Sequence, residues 1–408
     1  LIDGKLLIVG RPLNQGAGAW LRCAQHLSVL DRKGLAFCPV IDEANDDPEL
    51  AWKAKCLADV FVGAGWPIGG MFDLIEKWSG GGRKWIWDID DDPTNVSPYN
   101  FAYEYFGLEE VELAEPVKGE KWLWRDGVGD FDLARNRRRQ EQFVEMIRNH
   151  VSALTTTTPY LAEKLKSIAG DVPIYIRPNV LDFDEIWTNR RRESKDGKIR
   201  ITYQGGGSHG ADLDYVLPVL KAIADEFPHV QYVFQGDTKG HAARVIPEER
   251  METFDWCFDY PTFAHRMADL GADIAIAPLC MDPVHAEFNR CKSSLKWLDA
   301  AAIGIPCVCQ DDTPYREVVN MKTMPDTDWN GLLAKTLDEW YDCLAHLVSV
   351  KDMREVIGNN AQREAYMWWS AEDFAEEHLK QYMEVVHGDG GNGHVGSVAD
   401  QAGSASRS

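Results

Sequence analysis

Short apolar runs alternate with amphipathic stretches along the chain, and they do so in two separate blocks. In the first, KLLIVG (5–10) reads as a strand, followed by the loop NQGAG and the helical stretch AWLRCAQHLSVLDRKG. LAFCPVI and ADVFVGAG read as further strands, MFDLIEKWSGG as a helix and KWIWDID as another apolar run. This alternation predicts βα units and a parallel sheet flanked by helices. Between 101 and 129 the pattern dissolves into Trp- and Glu-rich sequence with no clear period. Helical spacing returns over 132–150. VSALTTTTPYLAEKLKSIAG then predicts a strand, a Thr/Pro helix start and a helix, and PIYIRPNVLDF closes the block.

The charged, apolar-poor segment 189–198 (NRRRESKDGK) reads as a linker. Beyond it the same architecture restarts: KIRITYQGGGSHG, the helix DLDYVLPVLKAIADEF, the strand VQYVFQGD, a helix around TFAHRMADLG, the strand ADIAIAPL, then EFNRCKSSLKWLDAAAIGIPCVCQ. The expected organisation is therefore α/β, with Rossmann-like domains over 1–188 and 199–365 joined by the linker 189–198. A strongly patterned helix over 366–388 and a flexible, core-free tail over 389–408 follow. Two such domains place the expected ligand site in the cleft between them.

Composition narrows the partners. The chain has 408 residues, a formal net charge of −22 and a pI near 4.9, so long-range repulsion disfavours nucleic acid and anionic membranes. No apolar run approaches a membrane span and no secretory signal opens the sequence, so the expected compartment is the cytoplasm. The nine cysteines are irregularly spaced, most of them in apolar contexts, which reads as reduced, buried thiols. Cys307-x-Cys309 lacks a second pair or nearby histidines, so no zinc site is expected there.

Three stretches carry candidate chemistry. In TYQGGGSHGADLDYV a strand runs into Gly205, Gly206 and Gly207, then Ser208 and His209, with Asp212 or Asp214 opening a helix. Glycines let a ligand approach the backbone, amides at a helix start face anions, and His209, a catalytic candidate as well as a binding one, can bond a phosphate or a sugar hydroxyl. The bland alternative is a tight strand-to-helix turn. Gly205, Gly207 and Gly210 also fit the GxGxxG of NAD enzymes, but the match lies in the second domain and the stretch about 20 residues on, where the NAD acid is expected, is AIADEFPHV at a helix end and not a strand end. In the stretch 287–308, a helix starting near Asn289 or Arg290 would put Lys292, Lys296 and Asp299 on one face. Asn289 would be its N-cap, a diphosphate would fit the helix start beside Lys292, and Asp299 would stand deeper for ribose hydroxyls. The alternative is a solvated Lys-Lys-Asp stripe. In WIWDIDDDPTNVSP, the carboxylates Asp88, Asp90, Asp91 and Asp92 crowd the end of an apolar run. Asp90 or Asp91 is the candidate for acceptor positioning or proton handling; the alternatives are a capped turn and a bound cation. The Arg135–Arg139 run reads as a solvated helix face, and the paired tryptophans 122/124 and 368/369 as core or interface.

The order Gly-rich loop with Ser-His, ADIAIAPL, FNRCKSSLKWLDAAAIGIPCV and TPYREVV resembles the C-terminal domain of GT-B fold glycosyltransferases. More specifically, it is similar to the glycogen-synthase-like retaining group (glycosyltransferase family 4). In LDAAAIGIP, Asp299 takes the place of the Glu that holds the donor ribose there. That group's first Glu would fall on Cys291, while Phe288, Asn289, Lys292 and Ser293 match a Phe-Asn-x-x-Lys-Ser variant of bacterial and phage-like members. In the first domain IVGRPLNQGAGAW resembles the loop that closes over the sugar, implicating Gly16, Ala17 and Gly18, and the last helix resembles one that crosses back to the first domain. Asp-x-Asp would suggest a divalent metal in the other major glycosyltransferase fold, against which the tandem blocks argue. The resemblance implies two Rossmann-like domains facing each other across a cleft. It implies a nucleotide-diphosphate sugar as donor, held by Gly206, Gly207, Ser208, His209, Asn289, Lys292, Ser293 and Asp299, with no cofactor and no required divalent metal. The acceptor would be a saccharide, a protein or a modified base. The rival readings are a non-catalytic module of a larger assembly, a nucleotide-sugar 2-epimerase and an NAD-dependent oxidoreductase.

Overall fold

A computed structural model describes residues 1–12, 16–41, 48–66, 71–79, 82–112, 123–194, 196–236, 239–320 and 326–388. The chain divides into two compact units. The first comprises 1–94, 134–182 and 370–408, and the second 95–133 and 183–369.

The first unit is built on a parallel sheet with Ile8–Pro12, Val60–Ala64, Lys84–Ile89, Ala153–Thr156 and Ile174–Ile176 side by side in that order. Val60–Ala64 is buried throughout, the signature of a strand covered on both faces. LAFCPVI, expected as a strand, makes only the isolated bridges Leu7–Phe37 and Gly10–Val40 along the outer edge of Ile8–Pro12. Pro39 offers no N–H to continue a ladder, although its carbonyl accepts from the Gly10 amide at 2.9 Å. At Gly63 a Cβ would lie 2.2 Å from the Trp87 ring, so only glycine lets that indole cross the sheet. The helix Pro159–Ala169 starts as its sequence predicts, with Thr158 accepting from the Leu161 amide and proline in the first turn.

The second unit's sheet is ordered Met251–Phe254, Val230–Gly236, Ile199–Gly205, Ile274–Ala277, Cys307–Gln310, Leu332–Ala334, all parallel. Numbered along the chain this is 3-2-1-4-5-6, the dinucleotide-fold order. Its switch point lies where Ile199–Gly205 and Ile274–Ala277 end, and ligands of open α/β sheets collect there. The core beneath joins Ile201, Tyr203, Leu213, Leu220, Tyr232, Ile276 and Trp340. Two edge strands, Met251–Phe254 and Leu332–Ala334, were not apparent in the hydrophobic pattern. The charged segment 189–198 attaches to this unit: Arg192 donates its amide to Ala268, and Arg191 pairs with Asp273 at 2.5 Å. Residues 95–133, placed with the first domain by sequence, belong to the second unit. There Trp124 is buried against Tyr103 and Phe131.

After Trp369 the chain rejoins the first unit, where Phe374, Ala375, Tyr382 and Val385 enter the same core as Leu27 and Leu30. The Ala375–His387 helix also brings a polar cluster. Tyr382 Oη lies 2.7 Å from His26 Nε2 and accepts from Arg177 Nη1 at 2.8 Å, Gln381 Oε1 accepts from Arg177 Nε at 2.6 Å, and His26 and His378 meet edge to face. Burial, with Arg177 and Arg22 close by, holds both imidazoles well below their ordinary pKa. Both are neutral in the folded state, whereas in the unfolded chain they take up protons below about pH 6.5. Their contribution to stability is therefore complete above that pH and is lost as the pH falls towards their folded values.

Urea denaturation at a series of pH values tests this cluster. Between pH 6.5 and 5, His378→Gln should show a pH slope shallower than wild type by up to about 1.4 kcal/mol per unit. Parallel slopes would mean that His378 does not titrate on unfolding.

Candidate functional site

The switch point of the second sheet is organised by one buried carboxylate. Asp212 lies in the first turn of the helix Gly210–Glu226, which follows the short 3-10 turn Gly207–His209 directly after the first strand. One oxygen, Oδ1, accepts from the Cys280 amide at 2.8 Å and from Asn289 Nδ2 at 2.8 Å. The other, Oδ2, meets His209 Nδ1 at 2.8 Å and Lys292 Nζ at 3.2 Å. Burial raises the pKa of such an acid, but Lys292 and the donors from His209 and Cys280 outweigh it and hold Asp212 below the carboxylate range, hence ionised. His209 is driven the other way, to about 3, first by burial and then by Lys292 and Lys296. It is neutral at physiological pH, with Nδ1–H donating to Asp212 and Nε2 facing Lys296 Nζ at 3.4 Å. The two ammonium groups also lie over aromatic rings, Lys292 over Phe288 and Lys296 over Tyr203.

Glycine has two uses in this turn. A Cβ on Gly205 or Gly210 would press on neighbours, at 3.0 Å from His209 Cβ and 2.6 Å from the His241 ring. A Cβ on Gly206 would meet nothing within 4 Å. Internal packing therefore does not require glycine at 206; the space above it is open, beside the first-turn backbone of Gly207 and Ser208. The third glycine of the GxGxxG match serves helix packing. The next strand, Val230–Gly236, ends in Gln235 and Gly236, and Asp237 directly after it lies outside the described residues.

The expected single helix from Asn289 through Asp299 is not formed. Ala286–Arg290 is one short helix and Leu295–Ala302 another, with Ser294 at the N-cap of the second. Asn289 is not an N-cap: its side-chain amide is spent inward on Asp212 and on the Cys280 carbonyl at 2.8 Å. Lys292 and Ser293 lie in the break, so Lys292 reaches the site from a turn and does not share a helix face with Lys296 and Asp299. Cys291, where the resemblance leads one to expect a carboxylate, is fully buried. Asp299 is 3% exposed and accepts from Tyr260 Oη at 2.8 Å; burial raises its pKa to about 7 against the opposing pull of Tyr260, Lys296 and Gln204. A ribose hydroxyl at Asp299 would have to compete with that phenol.

In the first unit the acidic run resolves into separate roles. Asp88 is buried in a two-pronged pair with Arg22, 2.9 Å from Nε and 2.8 Å from Nη2, and also accepts from Thr155. Arg22 donates further to Asn179 at 3.0 Å. Asp92 folds back onto the amide and hydroxyl of Thr94, a capped turn. Asp90 is partly exposed and lies against Gly18, where an added Cβ would come within 2.8 Å of its Oδ2. Burial and the neighbouring Asp88 raise its pKa, with Arg22 opposing. Asp91 follows it in a bend, and Gly16 precedes the turn that carries Ala17 and Gly18. Sequence reading singled out neither Arg22 nor Asn179, because nothing in a helix pattern marks one arginine as buried. It also passed over Cys280, Asp282 and His285, whose C-x-D-x-x-H spacing was a legible signal.

No family model and no curated protein matches the chain. Solved structures do. Sucrose-phosphate synthase from Thermosynechococcus elongatus superposes with a TM-score of 0.59 at 11% identity, over 93% of this chain and 99% of that one. HepE of Anabaena in complex with UDP and glucose gives 0.60 at 11%, over 92% and 99%. WaaG, a glycosyltransferase involved in lipopolysaccharide biosynthesis, gives 0.56 at 13%, over 92% and 99%. A candidate UDP-N-acetylglucosamine 2-epimerase from Listeria monocytogenes gives 0.52 at 11%, over 95% and 99%. At these identities the likeness is one of fold: the chain carries the two Rossmann-like domains of GT-B glycosyltransferases.

Asp212→Asn keeps the shape of the hub and removes its charge, leaving Lys292 without its carboxylate. Chemical denaturation should show a loss of about 3–5 kcal/mol, the range for breaking a buried ion pair from one side. A loss under about 1 kcal/mol would mean that the pair is solvated and the hub is not organising.

Proposed function

We propose that the protein transfers a glycosyl group from a nucleotide-diphosphate sugar to an acceptor hydroxyl. The observation that carries this reading is the pair Lys292 and Lys296 beside neutral His209 and the open backbone at Gly206, at the switch point of the second sheet. As the bond from the anomeric carbon to the phosphate oxygen breaks, negative charge gathers on the leaving diphosphate. Two ammonium groups and the first-turn amides of Gly207 and Ser208, fixed before substrate arrives, stabilise that charge where it develops. Asp212 holds Lys292 and the His209 ring in place, and Asn289 ties the hub to the loop after the fourth strand. In this reading positive charge comes from lysine, so the diphosphate needs no metal.

The finer assignments follow the same reading. Ser293 stands in the turn beside Lys292 as a further phosphate ligand, and Asp299 takes the ribose by exchanging its bond from Tyr260. The first unit takes the acceptor, with Asp90, its pKa raised, and Asp91 handling the acceptor hydroxyl proton, and Gly16 and Gly18 admitting the sugar close to the backbone. LDAAAIGIP and FNRCKS support a place among the glycogen-synthase-like retaining enzymes, and with it retention of anomeric configuration.

UDP- and GDP-sugars should be screened by thermal shift and by nucleotide release with an acceptor panel. One donor should stabilise the wild type. Lys296→Met should weaken that donor by about 1–3 kcal/mol in binding, the worth of a charge-assisted bond. Gly206→Val should abolish the shift while leaving unliganded stability within about 0.5 kcal/mol. Conversion of a UDP-sugar to its 2-epimer without an acceptor, or stabilisation by NAD instead of any nucleotide sugar, would replace the proposal with one of its rivals.

A further inference from the structure

Close to the hub but separate from its lysines, Cys280, Asp282 and His285 converge. They are the one set of three metal-capable side chains among the described residues whose ligand atoms all lie within 4.8 Å of one another. Cys280 is half-buried, and His285 is 7% exposed with Nε2 buried and lacking a partner. His285 Nδ1 lies 2.7 Å from Asp282 Oδ1, the oxygen that also accepts from the Val284 and His285 amides at 2.9 Å. The turn is thus fixed by the backbone before any ligand arrives. Its three donors are of three chemical kinds: a thiol, a carboxylate and an imidazole.

We propose that this turn binds one zinc-like divalent ion through Cys280 Sγ, a carboxylate oxygen of Asp282 and one imidazole nitrogen of His285. Soft sulfur selects against magnesium and calcium, and the mixed S, N, O set with a fourth position open suits tetrahedral zinc. Ligand atoms around zinc stand about 3.5 Å apart, so side-chain rotation has to draw in the atoms that lie up to 4.8 Å apart and, where Nδ1 is the ligand, open its 2.7 Å contact with Asp282. On binding, Cys280 gives up its thiol proton to solvent. Thiolate and carboxylate then balance the 2+ charge, so the filled site is neutral and adds no field to the phosphate pocket. The inference does not depend on the glycosyltransferase reading. It does touch the same hub mechanically, because the Cys280 amide donates to Asp212 and its carbonyl accepts from Asn289. Metal bound at Cys280 would stiffen the loop that carries both bonds.

Cobalt(II) titration of the full chain provides the test. Wild type should develop a thiolate-to-cobalt charge-transfer band that saturates at one equivalent and is displaced by zinc. Cys280→Ser should abolish the band, while Cys257→Ser, at another part-exposed thiol, should keep it. Asp282→Asn and His285→Gln should each weaken cobalt by more than the roughly 10–100-fold that loss of an outer-shell partner costs. Alkylation mapped by mass spectrometry tests the wild type without substitution, since zinc should protect Cys280 selectively. Absence of a thiolate–cobalt band, its persistence in Cys280→Ser, or equal alkylation of Cys280 with and without zinc would overturn the proposal.

Discussion

The second unit depends on the ionised carboxylate of Asp212 being buried and fully partnered. An isolated charge at that depth would cost several kcal/mol, and four donors remove the penalty. They come from four places: the glycine turn (His209), the loop after the fourth strand (the Cys280 amide), a short helix (Asn289) and the break behind it (Lys292). Satisfying one oxygen pair therefore fixes the relative positions of four segments at the switch point. The parallel sheet brings two strand ends together, and the carboxylate joins the loops that leave them.

The same hub decides protonation. Burial first, and then repulsion from Lys292 and Lys296, keeps His209 neutral, so the local balance is positive from lysine alone. That local positive charge suits the anionic oxygens of the proposed diphosphate. In a chain with a net charge of −22, such a patch depends on local pairing and desolvation, since the protein's overall field opposes it. The first unit solves a parallel problem differently: Arg22 neutralises Asp88 in a fully buried fork, and Asp90 beside it is left with a raised pKa.

Much of the architecture was legible because parallel strands are covered on both faces and appear as unbroken apolar runs. VQYVFQG, ADIAIAP and IPCVC each became a strand of the second sheet. What failed was what tertiary partners decide. LAFCPVI has the composition of a strand, but its proline leaves it as bridges at an edge. The spacing of Asn289, Lys292, Lys296 and Asp299 read as one helix face, yet the pull of Asp212 and the Cys280 carbonyl on Asn289 accompanies a break at 291–294. His209, Lys292 and Lys296 do come together, joined by a carboxylate that the sequence marked only as a helix start. Arg22, the partner of Asp88, was invisible because its burial depends on residues far along the chain, Asn179 among them.

The central claim is that the Asp212 hub presents Lys292 and Lys296 to a nucleotide diphosphate. Its most direct test is a crystal structure of the full chain grown with UDP. The account predicts diphosphate density within hydrogen-bond distance of the Lys292 and Lys296 ammonium groups and the Gly207 and Ser208 amides, with the Asp212 bonds unchanged. UDP bound elsewhere, or a diphosphate contacting neither lysine, would contradict it.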